Sequence, residues 1–214
     1  MHIVEAFTID ARTEADTARL GALLAEVLPA GATVALCGTL GAGKTRLVQA
    51  VAAALGVPPG EVASPTFVLI KEYTGRLPLY HFDAYRIRDD DEFLELGPDE
   101  YFESGGLVFV EWADRVRDCL PREHLQFDVE IAGPEARRFT LRAVGGRYQP
   151  VVERLARLWP QRKIYRLGPE RFDVSPKGRT SRTRTRGGAR SSTTGLLVSN
   201  APIFPAASRA SKRR

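Results

Sequence analysis

Two cysteines, Cys37 and Cys119, and a single methionine are all the sulfur this 214-residue chain carries. Two thiols make neither a disulfide framework nor a zinc-ligand spacing. A stapled secreted scaffold is therefore excluded, and a reducing, cytoplasmic setting is expected. No apolar run approaches the roughly 20 residues that cross a bilayer. The opening MHIVEAFTIDARTE has no basic stretch leading into an apolar one, so no secretory signal is expected. Asparagine occurs once, as Asn200. The body of the chain thus has no Asn for an N-K-x-D guanine-reading element. Acidic residues stop altogether after Asp173.

That last absence explains the net charge of +5. Residues 151–214 hold 16 Lys and Arg against 3 Asp and Glu, whereas residues 1–150 hold 15 against 23. The basic character belongs to the C-terminal arm and the body is acidic. Beyond Ser175 the sequence SPKGRTSRTRTRGGAR has no acid and no apolar face. Such a segment buries too little surface to offset its ordering entropy. The expected organisation is a folded domain over 1–159, a linker over 160–174 and a disordered basic extension over 175–214.

Within the domain, local patterns give a coarse order of elements. Residues 2–9 read as a strand. Thr13 with Asp16 three residues on forms a capping-box pattern, and Leu20, Leu23, Leu24 and Val27 follow at helical spacing. Residues 33–37 are an apolar run bounded by turn signals, as in a buried parallel strand. A helix is expected over 44–55, with Leu47, Val51, Ala54 and Leu55 on one face and Gly56 beyond its end. Residues 66–73 and 77–82 read as a hairpin, 107–110 as a buried strand, and 125–131 with 138–144 as a second hairpin. The acidic stretch 89–104 suits a surface helix and loop, and 151–158 a terminal helix. A three-layer α/β fold with a mixed parallel and antiparallel sheet follows, since hairpins require antiparallel pairs.

The turn between 33–37 and the helix at 44 is Gly38-Thr39-Leu40-Gly41-Ala42-Gly43-Lys44-Thr45, a complete G-x-x-x-x-G-K-[ST] motif. Glycines let the backbone curl so that N–H groups face phosphate oxygens. The helix N-terminus adds partial positive charge. Gly38, Leu40, Gly41, Ala42, Gly43, Lys44 and Thr45 are the expected nucleotide-binding set. Lys44 suits the β- and γ-phosphates, and Thr45 suits Mg2+. The ion needs further oxygen ligands. Asp83 and Glu111 stand at the ends of predicted strands, where ligands gather in α/β sheets. His81 alternates with Asp83 and shares its side of the strand.

With these residues in view, the chain resembles the bacterial TsaE (formerly YjeE) family. These are small P-loop ATPases required for making threonylcarbamoyladenosine in tRNA. The resemblance rests on LGAGKT at 40–45, Ser64-Pro65-Thr66-Phe67, His81-Phe82-Asp83-Ala84-Tyr85-Arg86 and Glu111-Trp112, in that order. It covers roughly residues 1–145 and not the tail. It implies a P-loop NTPase fold, ATP and Mg2+ as cofactors, and slow hydrolysis stimulated by partners. It implies action on a complex of the TsaB and TsaD proteins rather than on tRNA itself. It also implies Thr45, Glu111 and Asp83 at the metal, with Asp83, Glu111, Lys44 and Thr66 as the catalytic set. Thr66 would sense the γ-phosphate. How Asp83 and Glu111 divide their roles stays open at this point.

Two other functions fit parts of the chain. A small-molecule kinase shares the phosphate turn, although Asp89-Asp90-Asp91-Glu92 suits a phosphate lid poorly. A nucleotide-dependent RNA-binding protein would use the basic tail, whose arginines suit phosphates and whose few aromatics suit base stacking badly.

Overall fold

The first helix begins where its capping pattern says it should. In the computed structural model, Thr13 accepts a hydrogen bond from the Asp16 backbone N–H, and Asp16 bonds back to the Thr13 N–H. The structure describes residues 5–58, 60–63, 69–159 and 163–166. Within them the chain runs β1 Glu5–Ala11, α1 Glu14–Val27, β2 Thr33–Cys37, α2 Lys44–Ala54, β3 Ile70–Tyr73 and β4 Leu79–Asp83. It continues α3 Asp90–Leu94, α4 Pro98–Glu103, β5 Leu107–Glu111, β6 His124–Ile131, β7 Arg137–Val144, α5 Gln149–Leu158 and β8 Lys163–Arg166.

The strands form one sheet in the order β3-β4-β5-β2-β6-β7-β1-β8. The middle four, β4, β5, β2 and β6, are parallel. Antiparallel pairs flank them on both sides. The mixed sheet is thus as expected, and both hairpins are present. The fold is a three-layer α/β arrangement with a core on each face. On one face α1, α2 and α5 cover Phe7, Val34, Leu36, Phe109, Phe127 and Leu141. On the other, Phe93 of α3 and Tyr101 and Phe102 of α4 pack on Ala35, Phe82, Val108 and Val110. Phe82 is fully buried among those rings, a burial that contributes about 1.5–3 kcal/mol.

Three local expectations are refined. Ala54 is exposed; the buried stripe of α2 is Leu47, Val48, Val51 and Ala52, continued by Leu55. The stripe is wide because α2 faces both the sheet and α1. Gly21 of α1 lies so close to α2 that an added Cβ would overlap Ala50. The acidic stretch forms two short helices, α3 and α4, rather than one, with Asp89 capping the first. Lys163–Arg166, inside the segment expected to be a linker, pairs with β1 as an edge strand. The rest of that segment and the basic extension lie outside the described residues, as do Ser64, Pro65, Thr66 and Phe67. No helix among the described residues is long and apolar enough to cross a membrane.

Candidate functional site

Central strand β2 delivers the chain into the phosphate turn. Gly38 has φ 138° and its Cβ, if present, would run into the Val129 carbonyl oxygen of β6. No other residue fits there without displacing a strand. Gly41 and Gly43 also have positive φ, at 76° and 104°. Gly43 caps α2 with no side-chain bond to the first helical N–H groups, which leaves them facing the concavity. Leu40 stands at the rim, 75% exposed, while Ala42 points into the core. The Ala42 N–H donates to the Thr39 carbonyl.

A cleft of about 380 Å³ opens between this turn and Asp83, Tyr85, Glu111 and Trp112. Lys44 is almost wholly buried at its base. Its Nζ donates to the carbonyls of Gly38 at 2.8 Å and Thr39 at 2.9 Å. The ammonium also sits 3.7 Å from the centre of the Trp112 ring, a cation–π contact. Burial pushes the Lys44 pKa down, and nearby Glu111 and Asp83 oppose that push. Trp112 reaches this position through a left-handed backbone, φ 58°, and its ring packs on Tyr85 at 4.9 Å. A non-glycine residue held there costs on the order of 1–3 kcal/mol, a strain typical of functional sites.

Asp83 and Glu111 are register partners on neighbouring parallel strands. Both are buried at the carboxyl ends of β4 and β5. Glu111 Oε1 accepts the Thr45 hydroxyl at 2.7 Å and lies 2.8 Å from His81 Nε2. Asp83 Oδ1 accepts the Tyr85 N–H at 3.0 Å. The phosphate turn, Lys44, Thr45, Asp83 and Glu111 therefore come together at one cleft, whereas Thr66 lies outside the described residues. Cys37, at the end of β2, is pushed up to about 11 by burial, reinforced by Asp128 and Asp114. The thiol is therefore protonated at neutral pH, as befits a packing residue.

Sequence reasoning names His81 but does not find its contact with Glu111, and it misses one residue altogether. Arg137, at the start of β7, braces the phosphate turn. Its Nη1 donates to the Ala136 carbonyl at 2.9 Å and the Gly133 carbonyl at 3.2 Å, and its Nη2 reaches the Gly41 carbonyl at 3.5 Å. Nothing in the sequence marks this arginine among its neighbours.

A glycine turn between a buried parallel strand and a helix, faced by two strand-end carboxylates, defines a P-loop α/β protein. The comparisons narrow the class. The family model for the threonylcarbamoyl adenosine biosynthesis protein TsaE matches residues 11–139. The chain belongs to this family. The tRNA threonylcarbamoyladenosine biosynthesis protein TsaE of Bacillus subtilis is 44% identical over 143 residues, 66% of this chain and 89% of the relative. The protein of the same name from Treponema pallidum is 37% identical over 130 residues, 61% and 96% of the two chains. The crystal structure of Bacillus subtilis YdiB superposes with a TM-score of 0.64 at 38% identity, covering 74% of this chain and 99% of that one.

Proposed function

We propose that this chain binds and hydrolyses ATP with Mg2+, in support of threonylcarbamoyladenosine modification of tRNA in the cytoplasm. It would act on a complex of TsaB and TsaD rather than modify tRNA itself. The observation that carries the reading is the 2.7 Å hydrogen bond from Thr45 to Glu111 beside the buried Lys44. A hydroxyl that donates to a carboxylate keeps its lone pairs free for a cation. The oxygen donors of Thr45, Glu111 and Asp83 match the preference of Mg2+. Among the described residues no group of three or more His, Cys, Asp and Glu could hold a metal unaided. That fits an ion completed by substrate phosphates rather than by a protein cage.

In this reading the bound ion neutralises charge on the β- and γ-phosphates. The chain's own residues do the rest. Backbone N–H groups of the turn and the start of α2 hold phosphate oxygens. Lys44 exchanges the carbonyls of Gly38 and Thr39 for phosphate. Glu111 and Thr45 fix the cation. Asp83 orients the attacking water, with Thr66 as the γ-phosphate sensor. ATP and ADP forms must differ in affinity for the partner complex for hydrolysis to drive it. Co-precipitation with TsaB and TsaD is expected with ATP and to be lost with ADP and with Glu111→Ala. Hydrolysis is expected to rise when both partners are added. Equal capture in all nucleotide states would remove the proposal.

The basic arm supports a direct RNA contact as an accessory to this role. Residues 175–214 carry 10 Lys and Arg and no Asp or Glu. Deleting them is expected to flatten the salt dependence of tRNA binding, because fewer counterions are released, while ATP affinity stays unchanged. An unaltered salt slope would discard the contact.

A further inference from the structure

His81 is fully buried on β4, yet neither the phosphate turn nor the two carboxylates assign it a task. Its Nε2 lies 2.8 Å from Glu111 Oε1, the same oxygen that accepts the Thr45 hydroxyl at 2.7 Å. Its Nδ1 is buried with no hydrogen-bond partner. Glu111 is an acceptor, so the Nε2 atom must carry the hydrogen of this pair. The contact with Glu111 is thus the ring's one polar contact among the described residues.

We infer that His81 is a positioning residue for the cation site. It donates from Nε2 to Glu111 Oε1, locks that carboxylate in one orientation and leaves the other oxygen, Oε2, for the ion. This deepens the magnesium reading given above and rests on it. The arrangement has a physical logic. A carboxylate on a strand end can rotate about its terminal torsion, which is broad and roughly twofold. Two donors on one oxygen remove that freedom. The hydroxyl of Thr45 is then fixed as well, because its hydrogen is committed to Glu111. Outer partners of this kind commonly change metal affinity by about 10- to 100-fold when removed. A ring needed only for packing would be replaceable by another ring.

The test uses the full chain and two substitutions. His81→Phe keeps an aromatic of similar size and removes the donor. His81→Gln keeps an N–H near the position of Nε2. ADP binding is measured by calorimetry across a magnesium titration, and again in excess chelator. For His81→Phe the magnesium concentration at half-effect is expected to rise about 10-fold or more, with ADP affinity in chelator within twofold of the parent. His81→Gln is expected to recover most of the loss. Imidazole nitrogen NMR of the parent is expected to show His81 protonated on Nε2. A folded His81→Phe with the parental magnesium midpoint, or equal losses with and without magnesium, overturns the inference. If His81→Phe does not fold, His81→Gln and the tautomer decide. A ring protonated on Nδ1 alone, or a glutamine variant that loses magnesium dependence altogether, also overturns it. A parent chain whose ADP binding ignores magnesium would instead sink the cation site itself.

Discussion

Lys44→Ala is expected to weaken ATP binding by roughly 100-fold or more. Hydrogen bonds between charged partners contribute about 1.5–3 kcal/mol each, and every 1.4 kcal/mol is about tenfold in affinity. Lys44 Nζ already occupies the base of the cleft, bonded to the Gly38 and Thr39 carbonyls and facing Trp112. It is therefore held ready in place and has little rotamer freedom left to lose on meeting phosphate. The alanine variant leaves both carbonyls without that partner, so a small drop in melting temperature is expected as well. Calorimetry with ATP and Mg2+ checks the binding, and circular dichroism checks that the fold persists. Affinity within about fivefold of the parent would show that phosphate is held elsewhere.

Gly38→Ala is expected to have the largest effect on stability of any substitution in the turn. Two costs coincide there. A φ of 138° disfavours any side chain, and the new Cβ would overlap the Val129 carbonyl oxygen. Val129 is locked in the β6–β7 ladder opposite Phe139, so it cannot retreat cheaply. Backbone strain of about 1–3 kcal/mol and overpacking of about 1–3 kcal/mol together imply a melting temperature lower by about 10 °C. Gly41→Ala is the matched control. Gly41 also has positive φ, 76°, but nothing lies within 4 Å of an added Cβ. It should lose only the conformational part, about 1–2 kcal/mol. Thermal melts that rank the two variants equally would contradict the close approach at Gly38.

Much of this site is legible in the sequence because its signals are local. The phosphate turn is a contiguous motif with a fixed spacing between a strand and a helix. The Thr13–Asp16 capping box likewise needs only three residues of separation. Asp83 and Glu111 are readable as a pair because each ends an apolar run, and parallel strands of one α/β sheet end on the same side. The features that escape reading depend on long-range geometry. Trp112 covers Lys44 only because a left-handed residue turns the chain back just after β5. His81 reaches Glu111 diagonally on the neighbouring strand, although its own register partner on β5 is Phe109. β8 has no apolar alternation to announce it; the open edge of β1 makes it a strand. The exposure of Ala54 follows from the way α1 crosses α2, which helical periodicity alone does not encode.

The order of the strands also sets a timetable for the chain as it is made. β2, which launches the phosphate turn, lies between β5 and β6, so Val34 faces Phe109 and Leu125. β1 pairs with β7, and Ala6 faces Arg142. Contacts of such long range are slow to form. A ribosome adds about 5–20 residues per second. Roughly 100 residues separate Lys44 from Arg142, so a completed nucleotide loop waits on the order of 5–20 s for the ribbons that will frame it. A nascent chain stalled before Arg137 would carry the whole motif with no brace against Gly41 and an incomplete sheet beneath it.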